Sequence, residues 1–135
     1  MILATDMSKH FDFINAFSVE ETDKTSIFKC CIKAADVAHT AKTWDLHLQW
    51  TTLLMKEFFK QGDTEKEKNL EVSFNCDREK TDISKSQSGF IGTFVIPLYQ
   101  ILSKVVESEE IEKTCIQQLK LNRSIWENVD IKLDI

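Results

Sequence analysis

Turn-forming residues are scarce in this chain: three glycines and one proline punctuate 135 residues. A fold built on tight β-turns needs many more, because glycine supplies the positive φ and proline the fixed φ that such turns demand. The chain therefore reads as helical, and the spacing of its apolar residues agrees. Leu3, Met7, Phe11, Ile14 and Phe17 recur at the interval of one helix face rather than in the alternation of a strand. Phe90, Phe94, Leu98, Ile101 and Val105 carry the same period over roughly four turns, with Pro97 inside the pattern and expected to kink or break it.

Taken in order, the pattern predicts an amphipathic helix over 2–17 and a polar connection over 19–25, in which Asp23 or Thr25 caps the next helix. That helix, over 26–38, is apolar on most sides and belongs in the middle of a bundle. Asp36 lies in that run, in what reads as the most apolar surroundings of the chain, where a lone carboxylate is costly and calls for compensation. A helix over 44–61 is expected to stop at Gly62 in the C′ position, and the charged run 63–68 to be a solvated surface. Residues 69–81 read as loop. A final helix covers 111–129, with Ile116, Leu119, Ile125 and Trp126 as its core contacts.

Hydrophobic residues make up 42% of the chain and charged residues 29%, enough for a single globular core and far from the composition of disorder. The net charge of −5 argues against a partner that is a nucleic acid polymer, since neutralising a phosphate backbone takes a basic stripe. A small anionic ligand stays open, because a bound divalent metal reverses the local potential. Four cysteines, Cys30, Cys31, Cys76 and Cys115, have neither zinc-site spacing nor disulfide density, which points to a reducing, cytoplasmic setting. No apolar run approaches the roughly 20 residues of a membrane span.

Four small constellations stand out. Asp36 and His39 are three apart, so a carboxylate and an imidazole can share a cavity, a common opening to a metal site. Gln87 lies three residues before Phe90, pairing an amide that both donates and accepts with a ring that stacks; that combination suits the edge and face of a purine. Glu57 sits beside Phe58 and Phe59, and His47 and Trp50 read as an aromatic packing cluster.

Seven segments in succession, ILATDMSKHF, KAADVAHTAKTW, EFFKQGDTE, CDRE, KSQSGFI, IPLY and LNRSIW, resemble the successive motifs of the class I cyclic-nucleotide phosphodiesterases. The resemblance implies an all-α, multi-helix bundle, the C-terminal portion of an HD-type helical catalytic domain, whose activity is hydrolysis of cAMP or cGMP to the 5′-monophosphate. It implies two divalent metals, zinc with magnesium or manganese, holding the attacking hydroxide. Asp36 matches the motif aspartate that binds a metal, Gln87 the glutamine that hydrogen-bonds the purine, and Phe90 the aromatic that stacks on it. Thr5 and Met7 match the metal-side wall of the pocket. His39, followed by Lys42 and Trp44, is similar to the calcium/calmodulin-dependent branch, while Thr40 replaces the proline of that pattern. The family's histidine-rich segment, with the general-acid histidine, lies upstream of anything in these residues, so the resemblance implies a partial catalytic domain. Two other readings stay open: a module that binds cyclic nucleotide without cleaving it, and a helical fragment that self-associates through exposed apolar faces.

Overall fold

The computed structural model describes residues 2–17, 23–129, 131, 133 and 135. The described residues are all helical apart from turns and loops, in agreement with the expected bundle. Two short 3₁₀ turns, Ile2–Thr5 and Met7–Lys9, lead into α1 (His10–Ala16), followed by α2 (Lys24–Asp36) and a 3₁₀ turn at Ala38–Ala41. After these come α3 (Trp44–Glu67), α4 (Ile83–Phe90), a π turn at Ile91–Val95, α5 (Ile96–Val105), a second π turn at Ile111–Ile116 and α6 (Gln117–Asn128).

The expected helix over 2–17 is broken into three pieces. Asp6 has φ −56° and ψ 115°, and its carboxylate accepts from the Ser8 amide at 2.9 Å. That local bond offers the backbone an alternative to the helix, as Asp side chains often do. The buried Lys33 then locks the turns onto α2, its Nζ donating to the Ala4 and Asp6 carbonyls at 3.3 Å each. Asp23 is the N-cap of α2, accepting from the Ser26 amide at 2.6 Å; of the polar connection that precedes it, 19–22 lie outside the described residues.

Helix α2 is not buried all round. Cys30, Lys33 and Ala34, with Val37 just past its end, face the core, and Tyr99 donates its hydroxyl to the Ala34 carbonyl at 3.1 Å. The opposite face leaves Phe28 60% and Ile32 40% exposed, and Asp36 is exposed with them. The expected apolar surroundings of Asp36 are therefore corrected: composition shows how apolar a run is, whereas only the packing partner decides which side is covered.

Helix α3 runs six residues beyond the expected stop, through the charged segment read as a separate surface. Gly62 lies buried inside it, and a Cβ there would stand 1.9 Å from the Cys76 carbonyl oxygen. Glycine is needed for that close approach, not to end the helix. The end comes at Asn69, at φ 54°, where the Asn69 amide bonds to the Lys66 carbonyl and the Leu70 amide to the Glu65 carbonyl. This paired pattern satisfies the last carbonyls, with asparagine in the left-handed role.

Helix α4, the π turn and α5 form one continuous helix, Ile83–Val105. Pro97 is the second residue after the π turn; the wider turn absorbs the missing N–H and the ring's clash with the preceding turn, so the helix passes through where a kink or break was expected. At 23 residues this helix is long and apolar enough to cross a bilayer by length and composition, which corrects the expectation that no such run exists. In the fold it is the central element: Gln87, Ile91, Val95, Leu98 and Tyr99 are buried, and it packs on α2 and α6. From α6 and its π turn, Ile116, Leu119 and Trp126 complete the core as expected, with Ile125 half-buried.

Candidate nucleotide site

Between α2, α3 and α4 lies a cavity of about 510 Å³ lined by Met7, Asp36, Val37, His39, Trp50, Leu53, Leu54, Glu57, Phe58, Asn75, Ser86, Gln87 and Phe90. Five residues that the sequence singles out, Met7, Asp36, His39, Gln87 and Phe90, thus meet in one place although they span 84 positions. Thr5 is held in the neighbouring 3₁₀ turn and is not among the lining residues. A larger depression of about 890 Å³ lies near the C-terminal end, under Arg78, Lys85 and Ile131; it gathers none of those residues.

Each side chain reaches the cavity for a local reason. Asp82 caps α4, accepting from the Lys85 amide at 3.0 Å, and one turn later Gln87 is 5% exposed. Among the described residues its amide has no hydrogen-bond partner within the protein. The amide atoms themselves are open to solvent, so Gln87 is available to a ligand that both donates and accepts. Phe90 sits half-buried one turn further on and stacks on Phe94 at 5.6 Å between ring centres. Trp50, Leu53, Leu54 and Phe58 of α3 form the facing apolar wall. Two walls of this kind, with an amide at the edge, accept a flat heterocycle.

His39 is held by a relay that the sequence reading missed in part. The Trp126 indole N–H donates to His47 Nε2 at 2.8 Å, and His47 Nδ1 stands 3.3 Å from His39 Nδ1. His47 is buried, and desolvation pushes its pKa down to about 4, helped by the neighbouring His39; burial lowers His39 as well. Both rings are neutral at pH 7. Since His47 Nε2 accepts from Trp126, its proton is on Nδ1, where His39 Nδ1, the His39 backbone and the Thr51 hydroxyl are its neighbours. His39, which lines the cavity, is held in place against this ring. The expected aromatic cluster therefore forms around His47 with Trp44 and Trp126, at 5.8 Å each, while Trp50 turns to the cavity. The turn that carries His39 is pinned from α6, Asn122 donating to the Thr40 and Lys42 carbonyls at 2.8 Å each.

The cavity's carboxylates are Asp36 and Glu57. Among the described residues no group of three or more His, Cys, Asp or Glu side chains stands close enough to hold a metal ion. One carboxylate at Asp36 can serve as a ligand, yet the donors in this chain do not by themselves fit a two-metal centre.

A family profile described as 3′5′-cyclic nucleotide phosphodiesterase matches residues 1–119. The bovine dual specificity calcium/calmodulin-dependent 3′,5′-cyclic nucleotide phosphodiesterase 1B is 42% identical over 112 residues, covering 79% of this chain and 21% of that protein. The human 1C enzyme of the same description is also 42% identical over 112 residues, covering 79% of this chain and 16% of that protein. The solved structure of LmjPDEB1 in complex with IBMX superposes with a TM-score of 0.79 at 29% identity, over 93% of this chain and 40% of the other. The chain thus spans about a fifth of the length of the curated relatives it matches.

Proposed function

This chain belongs to the 3′,5′-cyclic nucleotide phosphodiesterase family, and from that premise we propose that its cavity is the base-binding wall of a catalytic domain that hydrolyses cAMP, cGMP or both to their 5′-monophosphates. The observation that carries the reading is the Gln87 amide, open to the cavity and without a partner among the described residues, in the same cavity as Phe90, His39, Met7 and Asp36. In it, Gln87 hydrogen-bonds the purine edge, Phe90 packs on its face against the α3 wall, and the His39 imidazole stands in the same cavity. Met7, with Thr5 behind it in the preceding turn, closes the side nearest Asp36. Asp36 serves as one ligand of the zinc and magnesium or manganese pair that the family resemblance implies. The other donors, and the general-acid histidine, are supplied by protein outside these residues, so this chain is a partial catalytic domain and is inactive by itself. Its four free thiols fit a cytoplasmic setting.

A second reading is favoured by one observation. Phe28, Ile32, Trp50 and Leu53 are at least 40% exposed on α2 and α3, and apolar faces of that kind associate. A catalytically incomplete helical fragment that only pairs with other chains, or binds nucleotide weakly, would show them too.

The test is hydrolysis of cAMP and cGMP by the purified chain with magnesium and trace zinc, together with ligand-observed NMR titration of both nucleotides. The expected result is nucleotide binding without turnover, binding that Gln87→Ala weakens by roughly tenfold, as loss of a buried two-way contact does. Unchanged binding in Gln87→Ala refutes the proposed pocket. Turnover that Asp36→Ala abolishes would show that a complete metal site forms after all.

A further inference from the structure

Lysine is among the side chains least often fully buried, yet Lys33 on α2 is 1% exposed. An apolar side chain would fill that place at less cost than a desolvated ammonium, so what a lysine adds there is its head group. Its Nζ stands 3.3 Å from the Ala4 carbonyl, 3.3 Å from the Asp6 carbonyl and 3.8 Å from Met7 Sδ. An ammonium has three N–H donors, and all three acceptors belong to the segment 4–7 that leads into α1. Apolar burial contributes little to fixing that segment: Leu3 is 86% exposed and none of Met7–Lys9 is buried.

Met7 lines the cavity, and so does Asp36, one turn beyond Lys33 on α2. A segment hung on Lys33 is therefore held in register with the end of the helix that carries Asp36. Resting on the reading of this cavity as a nucleotide pocket, we infer that Lys33 is a positioning residue for the ligand: through the Ala4 and Asp6 carbonyls and the Met7 sulfur it sets where the Met7 side chain stands in the cavity wall. Lys33 is not itself among the lining residues, so its effect on a ligand passes through Met7. In this reading the base edge belongs to Gln87, on α4, while Met7 packs at the Asp36 side, where cAMP and cGMP present the same ribose and cyclic phosphate. Loss of the Lys33 head group therefore weakens both nucleotides alike.

The test is NMR titration of the purified chain, carrying methyl-labelled methionine, with cAMP and with cGMP. Lys33→Leu keeps a good helix former and removes the donors. It is expected to displace the Met7 methyl signal, to leave that of Met55, fully buried on α3, in place, and to weaken both nucleotides by about fivefold, the worth of part of one side chain's burial against a ligand. Met7→Ala is expected to weaken binding to a similar extent, and adding Lys33→Leu to it to change affinity by less than about twofold, since residues that act through one contact are not additive. Additive losses in the double variant, or a displaced Met7 signal with binding unchanged, overturn the inference while the pocket stands. An unmoved Met7 signal in Lys33→Leu overturns it outright. Should Lys33→Leu lose the Met55 signal together with the fold, the wild-type chain decides: cAMP moves the Lys33 ε-methylene signal along with the Met7 methyl, and an unmoved Lys33 signal overturns the inference. If the wild-type chain binds neither nucleotide, or Gln87→Ala leaves both titrations unchanged, the pocket reading falls and the inference with it.

Discussion

Replacing Gly62 by alanine separates two roles that a mid-helix glycine can play. In an open helix position, Gly→Ala stabilises by up to about 1 kcal/mol, because alanine loses less backbone entropy on folding. At Gly62 the new Cβ would stand 1.9 Å from the Cys76 oxygen and 2.6 Å from its carbonyl carbon. Both are backbone atoms of a loop tied down on either side by Glu65–Ser73 and Asp63–Arg78, so neither can swing aside as a side chain would. Relief requires α3 and the loop to separate, breaking contacts on the scale of overpacking a core, about 1–3 kcal/mol. The net loss is therefore about 1–2 kcal/mol, a fall of roughly 3–10 °C in melting temperature for a chain of this size. Gly89 supplies the internal control: it lies in α4, and a Cβ there meets nothing within 4 Å. Thermal and urea unfolding followed by far-UV circular dichroism should give opposite signs, Gly62→Ala destabilised and Gly89→Ala equal to or above wild type. A Gly62→Ala protein as stable as Gly89→Ala would refute the seating of Cys76 on α3.

Asn122→Ala removes both donors to the Thr40 and Lys42 carbonyls; a loss of about 1–3 kcal/mol in urea unfolding is expected, together with line broadening of the His39 ring resonances as its turn loosens. Between about pH 6.5 and 5 the pH dependence of stability comes chiefly from the histidines, His10 among them. His47 and His39 have folded pKa values below the unfolded 6.5, so the unfolded chain binds more protons as pH falls, and their contribution is complete above pH 6.5 and lost on acidification. For His47, lowered to about 4, the loss between pH 6.5 and 4 is on the order of 3 kcal/mol. Stability measured across that interval should decline, and a His47→Gln variant should show a flatter decline; a flat wild-type profile would contradict the buried neutral relay. His39→Asn removes an imidazole from the cavity wall and should shift the ratio of cAMP to cGMP affinity by NMR titration, whereas an unchanged ratio detaches His39 from the ligand. Phe28→Ser, at a side chain 60% exposed, should change stability by no more than about 0.5 kcal/mol and reduce concentration-dependent association in sedimentation velocity; unaltered association would place the contact elsewhere.

The helix over 26–38 and the helical face from Phe90 to Val105 were legible because their apolar residues keep the helical period, and the cap was narrowed to Asp23 or Thr25 because a capping side chain acts within one turn. Such signals are local, and the sequence contains them whole. The five converging site residues were legible through motif resemblance and chemistry; spacing alone leaves Asp36 and Gln87 unrelated. What lay beyond reach depended on who packs against whom. Gly62 reads as a helix stop until Cys76 is found against it, and Asp6 reads as part of a helix until its carboxylate is seen on the Ser8 amide. Asp36 reads as buried until the uncovered face of α2 is known, and residues 69–81 read as free loop until Ser73, Asp77 and Arg78 are found tied to Glu65, Lys66 and Asp63 of α3. The sequence by itself determined an all-helical chain and the residue types able to read a purine, since both depend on periodicity and side-chain chemistry. Only the tertiary structure decided which faces are covered, which tautomer His47 adopts and which backbone lies against Gly62, because burial, proton position and close backbone approach are properties of pairs brought together by folding.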